Sequence, residues 1–167
     1  MSSNKKNFKN KGIFCIPIEK PQLSYSKVLK RIIEKVLLAE KMNFGFAFFG
    51  EHLTDKYEKL SSSLMMISAL SGITKKISLG TMTSNLTFAN PAIMASLIST
   101  VDNLSLGRLL LGIGCGSNQC DVEFVGNLKK NNYKLMFDSI DMIQKLISSK
   151  NLISFKNENF EVSTSET

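Results

Sequence analysis

Short uninterrupted apolar runs alternate along this chain with longer segments whose apolar residues recur every three or four positions. The first run, Gly12-Ile13-Phe14-Cys15-Ile16-Pro17-Ile18, predicts a strand that Pro17 and Pro21 bring to an end. Beyond a cap at Ser24 or Ser26, Val28, Leu29, Ile32, Ile33, Val36, Leu37 and Ala39 mark the apolar stripe of a helix. Gly45 stops it, and Phe46–Phe49 reads as a second strand leading to Gly50-Glu51-His52. After a polar loop to about Ser62, Leu64–Leu70 predicts a second helix, with Gly72 near its end. Ile77–Thr83 is the third strand, and Pro91 opens a third helix at a position where its missing N–H costs nothing. That helix is expected to turn Ile93, Met94, Leu97, Ile98 and Val101 inward before Gly107 closes it. Leu109–Ile113 is a fourth strand, followed by Gly114, Gly116 and the stretch SNQCDVEF, which reads as loop. Asn132–Ser148 predicts a helix with Leu135, Met136, Ile140, Ile143, Leu146 and Ile147 on one face. Leu152–Phe155 and Phe160–Val162 predict a small hairpin.

The order is strand–helix four times, then a hairpin. The strands are continuous apolar runs, the pattern of parallel strands covered on both faces. Right-handed crossovers then give either an open doubly wound sheet or part of a (β/α)8 barrel of the TIM type. Inner strand faces are expected to include Phe48, Leu79, Leu109 and Leu111.

Composition narrows the picture. The chain has 167 residues, 43% hydrophobic and 21% charged, which excludes disordered, collagen-like and disulfide-scaffold classes. No run reaches the roughly 18 apolar residues a membrane helix needs, and no apolar region follows the basic tail, residues 1–11, so no membrane anchor or signal peptide is expected. The net charge of +7 comes almost entirely from lysines spread along the chain, with Arg31 and Arg108 the only arginines. A nucleic-acid surface concentrates its charge and favours arginine, so no nucleic-acid partner is expected. Three cysteines, Cys15, Cys115 and Cys120, without a CxxC pair, and a single histidine argue against a metal site and for a reduced, cytoplasmic protein.

Ligands of such folds bind at the C-terminal ends of the strands. Glu51 and His52 stand after strand two, Thr81, Met82, Thr83, Ser84 and Asn85 at the end of strand three, and Gly114, Cys115, Gly116, Ser117, Asn118 and Asp121 after strand four. All three groups are expected at one pocket mouth. His52 serves either as an acid or base near neutral pH or as a structural hydrogen-bonder. Glu51 is a pocket group or a loop anchor, and Asp121 orients a base, binds a ligand or caps a loop. The Gly112-Ile113-Gly114-Cys115-Gly116 run has GxGxG spacing, not the dinucleotide GxGxxG. Cys115 is a possible reactive thiol or a small filler. Asp102 and Arg108 flank a helix-to-strand turn and read as an ion pair or a loop clamp.

The segment Ile77–Gly116, ISLGTMTSNLTFANPAIMASLISTVDNLSLGRLLLGIGCG, resembles the bacterial luciferase-like flavin-dependent monooxygenases, nearest to their limonene-monooxygenase-like subgroup. The resemblance is carried by the Leu79-Gly80-Thr81 strand, Asn90-Pro91 at a helix start, Asp102-x-Leu104-Ser105-x-Gly107-Arg108, and the Gly112-x-Gly114-x-Gly116 strand end. Gly45-Phe46 with Gly50-Glu51-His52 upstream, and Asp121 with Phe124 and Gly126 downstream, keep the spacing. It extends over about Ile13–Val162.

The resemblance implies a (β/α)8 barrel in which reduced FMN and O2 oxidise a small organic substrate, with a flavin reductase as electron source and homo- or hetero-oligomers as assemblies. It implies that His52 is the pocket histidine and Asp121 an acidic residue of the site. It further implies that Met82 and Thr83 match the segment lying against the flavin ring, on a strand that in relatives carries a non-proline cis peptide, and that Thr81, Gly114, Cys115 and Gly116 are cofactor-binding with them. Two departures stand out. Cys115 occupies a position where many relatives have an arginine near the flavin phosphate. The chain also holds about four βα units, where a whole barrel takes eight and about 250 residues. The expectation is therefore that residues 12–167 are the N-terminal half of such a barrel, a fragment of a longer protein. The alternatives are a non-catalytic half-barrel partner subunit or a nucleotide-binding α/β module.

Overall fold

The computed structural model describes residues 9–18, 20–149 and 154–163. Lys5 and Lys6 of the basic tail, and Leu152 and Ile153 of the expected hairpin, lie outside the described residues. The elements run β1 (Gly12–Cys15), α1 (Tyr25–Lys41), β2 (Phe46–Phe49), α2 (Ser63–Ser71), β3 (Ser78–Asn85), a 3-10 turn (Leu86–Phe88), α3 (Pro91–Leu104), β4 (Leu109–Gly114), α4 (Gln119–Phe124), α5 (Asn132–Ser148), β5 (Ser154–Lys156) and β6 (Glu161–Ser163). One sheet has the order β1-β2-β3-β4, and β5 and β6 form the expected antiparallel hairpin. β1 pairs with β2 and β2 with β3 in parallel. An open doubly wound sheet, the basis of the nucleotide-module reading, would place β1 inside the sheet, whereas sequential order is what a barrel requires. The fold is α/β, the first four βα units of a (β/α)8 barrel.

The chain forms two compact units: residues up to Ser84 with Val101–Gly112, and Asn85–Thr100 with residues from Ile113 onward. In the first unit α1 buries Val28, Ile32, Val36 and Ala39, spaced four, four and three residues apart. α2 buries Leu64, Met66, Ile67 and Leu70, and its start is capped by the Ser62 hydroxyl, which accepts from the Met65 N–H. Register fixes the two faces of the sheet. Ile13, Ala47 and Leu79 align, as do Phe14, Phe48 and Gly80. Aligned residues share a face and neighbours along a strand do not. Leu79 therefore lies on the opposite face from Phe48, not beside it as expected, and it is fully buried with Ala47. Gly80 accommodates Phe48, because a Cβ there would sit 2.5 Å from the Phe48 ring.

Arg108 is a loop clamp. Its Nε donates to the Ser105 carbonyl, and its terminal nitrogens donate to Thr74 Oγ1 and to the carbonyls of Ile77, Ser71 and Thr74. The amides of the same loop belong to Glu40, whose Oε1 accepts from the N–H groups of Lys75, Lys76 and Ile77 at 2.7–3.0 Å. The α2–β3 connection is thus held by opposite charges on its two kinds of backbone group.

Three elements differ from expectation. β1 stops at Cys15, and Ile18 instead makes an isolated bridge to Glu58. α3 buries Met94, Ala95, Ile98 and Val101, while Ile93 and Leu97 are 59% and 41% exposed. Its buried stripe is narrower than its set of apolar residues. SNQCDVEF is not all loop: α4 forms because Asn118 Oδ1 accepts from the N–H groups of Cys120 and Asp121. Six residues are too few for a periodic signal. In the second unit α5 packs on the 3-10 turn.

Candidate functional site

At the C-terminal ends of β1, β2 and β3 the chain converges on Gly50. A Cβ built there would lie 3.3 Å from Ile16 Cγ1 and 3.6 Å from both Phe14 Cζ and the Met82 carbonyl oxygen. Phe14 is 50% and Met82 46% exposed, so the strand ends present an apolar shelf. The Met82–Thr83 peptide is cis, as expected for this strand, and Thr83 is half-buried. Thr81 is fully buried, and its hydroxyl donates to the Gly112 carbonyl at 2.6 Å. Its side chain ties β3 to β4.

The loop after β2 carries the titratable groups. Glu51 is an anchor: its Oε2 accepts from the Ser63 N–H at 2.8 Å and the Ser63 hydroxyl at 2.6 Å, which fastens the start of α2. His52 is half-buried, and its N–H donates to the Leu60 carbonyl at 3.0 Å. Its Nε2 lies 3.2 Å from Glu58 Oε2. Sequence reading missed Glu58. It sits in a polar stretch without periodicity, and only the turn made by Asp55, which accepts from the N–H groups of Tyr57 and Glu58, brings it round. Lys59 fixes the far side of that turn, its Nζ donating to the Pro21 and Leu23 carbonyls.

Gly114, Cys115, Gly116 and Asp121 are the remaining candidates, and the second unit holds them. The Cys115 carbonyl accepts from Thr87 Oγ1 at 2.9 Å, and Asn127 Nδ2 donates to the Thr87 carbonyl at 2.6 Å. Gly116 has φ +69°, and a Cβ there would lie 2.5 Å from the Phe88 ring, so only glycine fits. Asp121 is fully buried in the first turn of α4. No lysine or arginine occurs between Leu109 and Leu128. Cys115 is half-buried, Cys120 exposed and Cys15 buried, and burial pushes the Cys15 thiol up against the opposing charge of Lys35. Among the described residues no cluster of His, Cys, Asp or Glu suits a metal, and no helix is long and apolar enough to cross a membrane.

Residues 10–166 match the family model of the luciferase-like monooxygenases. The chain belongs to this family. Among its relatives is 4-hydroxyprotoasukamycin monooxygenase of Streptomyces nodosus subsp. asukaensis, 28% identical over 155 residues that cover 90% of this chain and 41% of the relative. Limonene 1,2-monooxygenase of Rhodococcus erythropolis is 24% identical over 139 residues, 83% of this chain and 36% of the relative. A solved structure shares the fold with a TM-score of 0.87 at 22% identity, covering 93% of this chain and 43% of that one. It is the oxygenating constituent of 3,6-diketocamphane monooxygenase from Pseudomonas putida, a type II Baeyer-Villiger monooxygenase in complex with FMN. The luciferase-like chain thus spans less than half the length of the relatives it matches.

Proposed function

We propose that residues 12–167 supply the N-terminal half of a flavin-dependent monooxygenase barrel that oxidises a small organic substrate with reduced FMN and O2. The observation that carries this reading is the meeting of Phe14, Gly50 and the Met82 backbone at three strand ends, with the His52 imidazole two residues beyond Gly50. The apolar shelf suits a flat ring system, and the half-buried His52 on the loop that follows β2 is the candidate polar group for its edge. When bound, the reduced flavin supplies the electrons that activate O2, one oxygen atom passing to the substrate and the other to water.

The chain's own residues do the rest. Met82 and Thr83 form the wall against the ring, and Thr81 keeps that wall in place through its bond to Gly112. His52 holds and transfers a proton at the reacting edge. Gly114, Cys115 and Gly116 contribute backbone to the phosphate end, where Cys115 brings no positive charge and the rest of the barrel must supply it. Asp121 is the acidic residue of that wall. A separate flavin reductase delivers the electrons. A second reading is a half-barrel that pairs with another chain without turning over; the observation that favours it is the stretch Leu109–Leu128, which holds Cys115 and carries no lysine or arginine.

His52→Ala in a completed barrel tests the proposal. A positioned acid or base contributes roughly 10²–10⁴-fold to rate. Turnover should fall by about that factor, with melting temperature and reduced-FMN binding retained. Unchanged turnover in a folded variant would make His52 a structural residue.

A further inference from the structure

We infer that Glu58 is the positioning residue of His52, fixing which ring nitrogen carries the proton. The inference rests on the proposed role of His52 and deepens it. His52 Nε2 lies 3.2 Å from Glu58 Oε2. An ionised carboxylate only accepts hydrogen bonds, so Nε2 is the donor. In the neutral ring that makes Nδ1 the basic nitrogen. A proton taken up by His52 therefore goes onto Nδ1, and the ring then carries one proton on each nitrogen.

The main chain holds both partners in place. Glu58 is fixed by its N–H bond to Asp55 Oδ1 at 3.0 Å and by the bridge of its backbone to Ile18. His52 is fixed by its N–H bond to the Leu60 carbonyl. Side-chain exposures of 31% and 25% shield the pair from water more than a surface ion pair is shielded. A carboxylate that orients an imidazole and selects its tautomer through the nitrogen it accepts from is an established way to prepare such a ring for proton transfer.

The sequence contains one histidine, so ring signals need no assignment by elimination. Long-range proton–nitrogen spectra of the 15N-labelled 167-residue chain at alkaline pH, where an imidazole is neutral, read the tautomer from the two ring nitrogen shifts. The wild-type chain should show the Nε2–H form alone. Glu58→Ala should shift both nitrogens toward the averaged values of a tautomer mixture. Glu58→Gln keeps an accepting oxygen and should restore the wild-type pattern, a rescue that a merely structural role for Glu58 would not produce. An Nδ1–H or averaged pattern in the wild type, or a wild-type pattern in Glu58→Ala, overturns the inference. If Glu58→Ala loses its amide dispersion through unfolding, the wild-type and Glu58→Gln spectra decide alone. No flavin or substrate enters this experiment, so its failure leaves the role of His52 standing. Conversely, unchanged turnover in His52→Ala would remove that role and leave the tautomer result intact.

Discussion

A single methyl group at Gly80 separates a fitting residue from a clash. A Cβ there meets the Phe48 ring at 2.5 Å and the Leu110 carbonyl at 3.0 Å. Overpacking of this kind costs about 1–3 kcal/mol, so Gly80→Ala should lower the denaturant midpoint by a corresponding amount. Gly72→Ala is the control: at φ −75° with nothing within 4 Å of the new Cβ, it should be neutral or stabilising by about 0.4–1 kcal/mol. Equal losses in the two variants would contradict this reading of the sheet face. Legibility in the sequence divides at the same scale. His52 is readable because Gly50-Glu51-His52 follows an apolar strand directly. Glu58 is not, because it reaches the imidazole only through the Asp55 turn and the bridge to Ile18, forty positions away in the chain. Thr81 was legible as a strand-end residue, yet nothing in its neighbours tells that its hydroxyl turns to Gly112.

At the scale of elements, continuous apolar runs and the 3.6-residue stripe of α1 place strands and helices well, because burial on both faces or on one face leaves that mark in the chain. Faces and short elements leave less. Leu79 and Phe48 are both apolar in apolar strands, and only the register with Ala47 and Gly80 assigns them to opposite sides. α4 depends on one capping amide at Asn118. The α2–β3 connection carries a pH prediction. Burial pushes the Glu40 carboxyl up, but the N–H groups of Lys76, Ile77 and Lys75 and the Arg108 charge outweigh it and hold the group below its ordinary 4.5. A group depressed in the folded state contributes its stability above the unfolded value and loses it as pH falls through the folded value. Glu40→Gln should therefore melt below the wild type at neutral pH, and the gap should close as pH drops from about 5 through the lowered carboxyl range. A gap that stays constant down to pH 2 would show that Glu40 acts by shape alone.

At the scale of the whole molecule, the sequential strand order was open in the sequence, which allows a doubly wound sheet equally well, and it took the pairing of β1 with β2 and β2 with β3 to decide it. Among the described residues that order leaves β1 and β4 as edges, and Phe14, Leu110 and Leu111 are 50%, 37% and 37% exposed. Unpaired edges and exposed apolar side chains favour association. Sedimentation of the 167-residue chain should show concentration-dependent self-association, and a monomer at all concentrations would contradict the half-barrel reading. The most direct measurement is reduced-FMN-dependent product formation by this chain alone and by the same chain completed with a polypeptide carrying strands five to eight of a luciferase-like barrel. The account predicts no oxidation by the chain alone and turnover once the barrel is complete. Robust oxidation by the 167-residue chain, or none in a folded complete barrel, would contradict it.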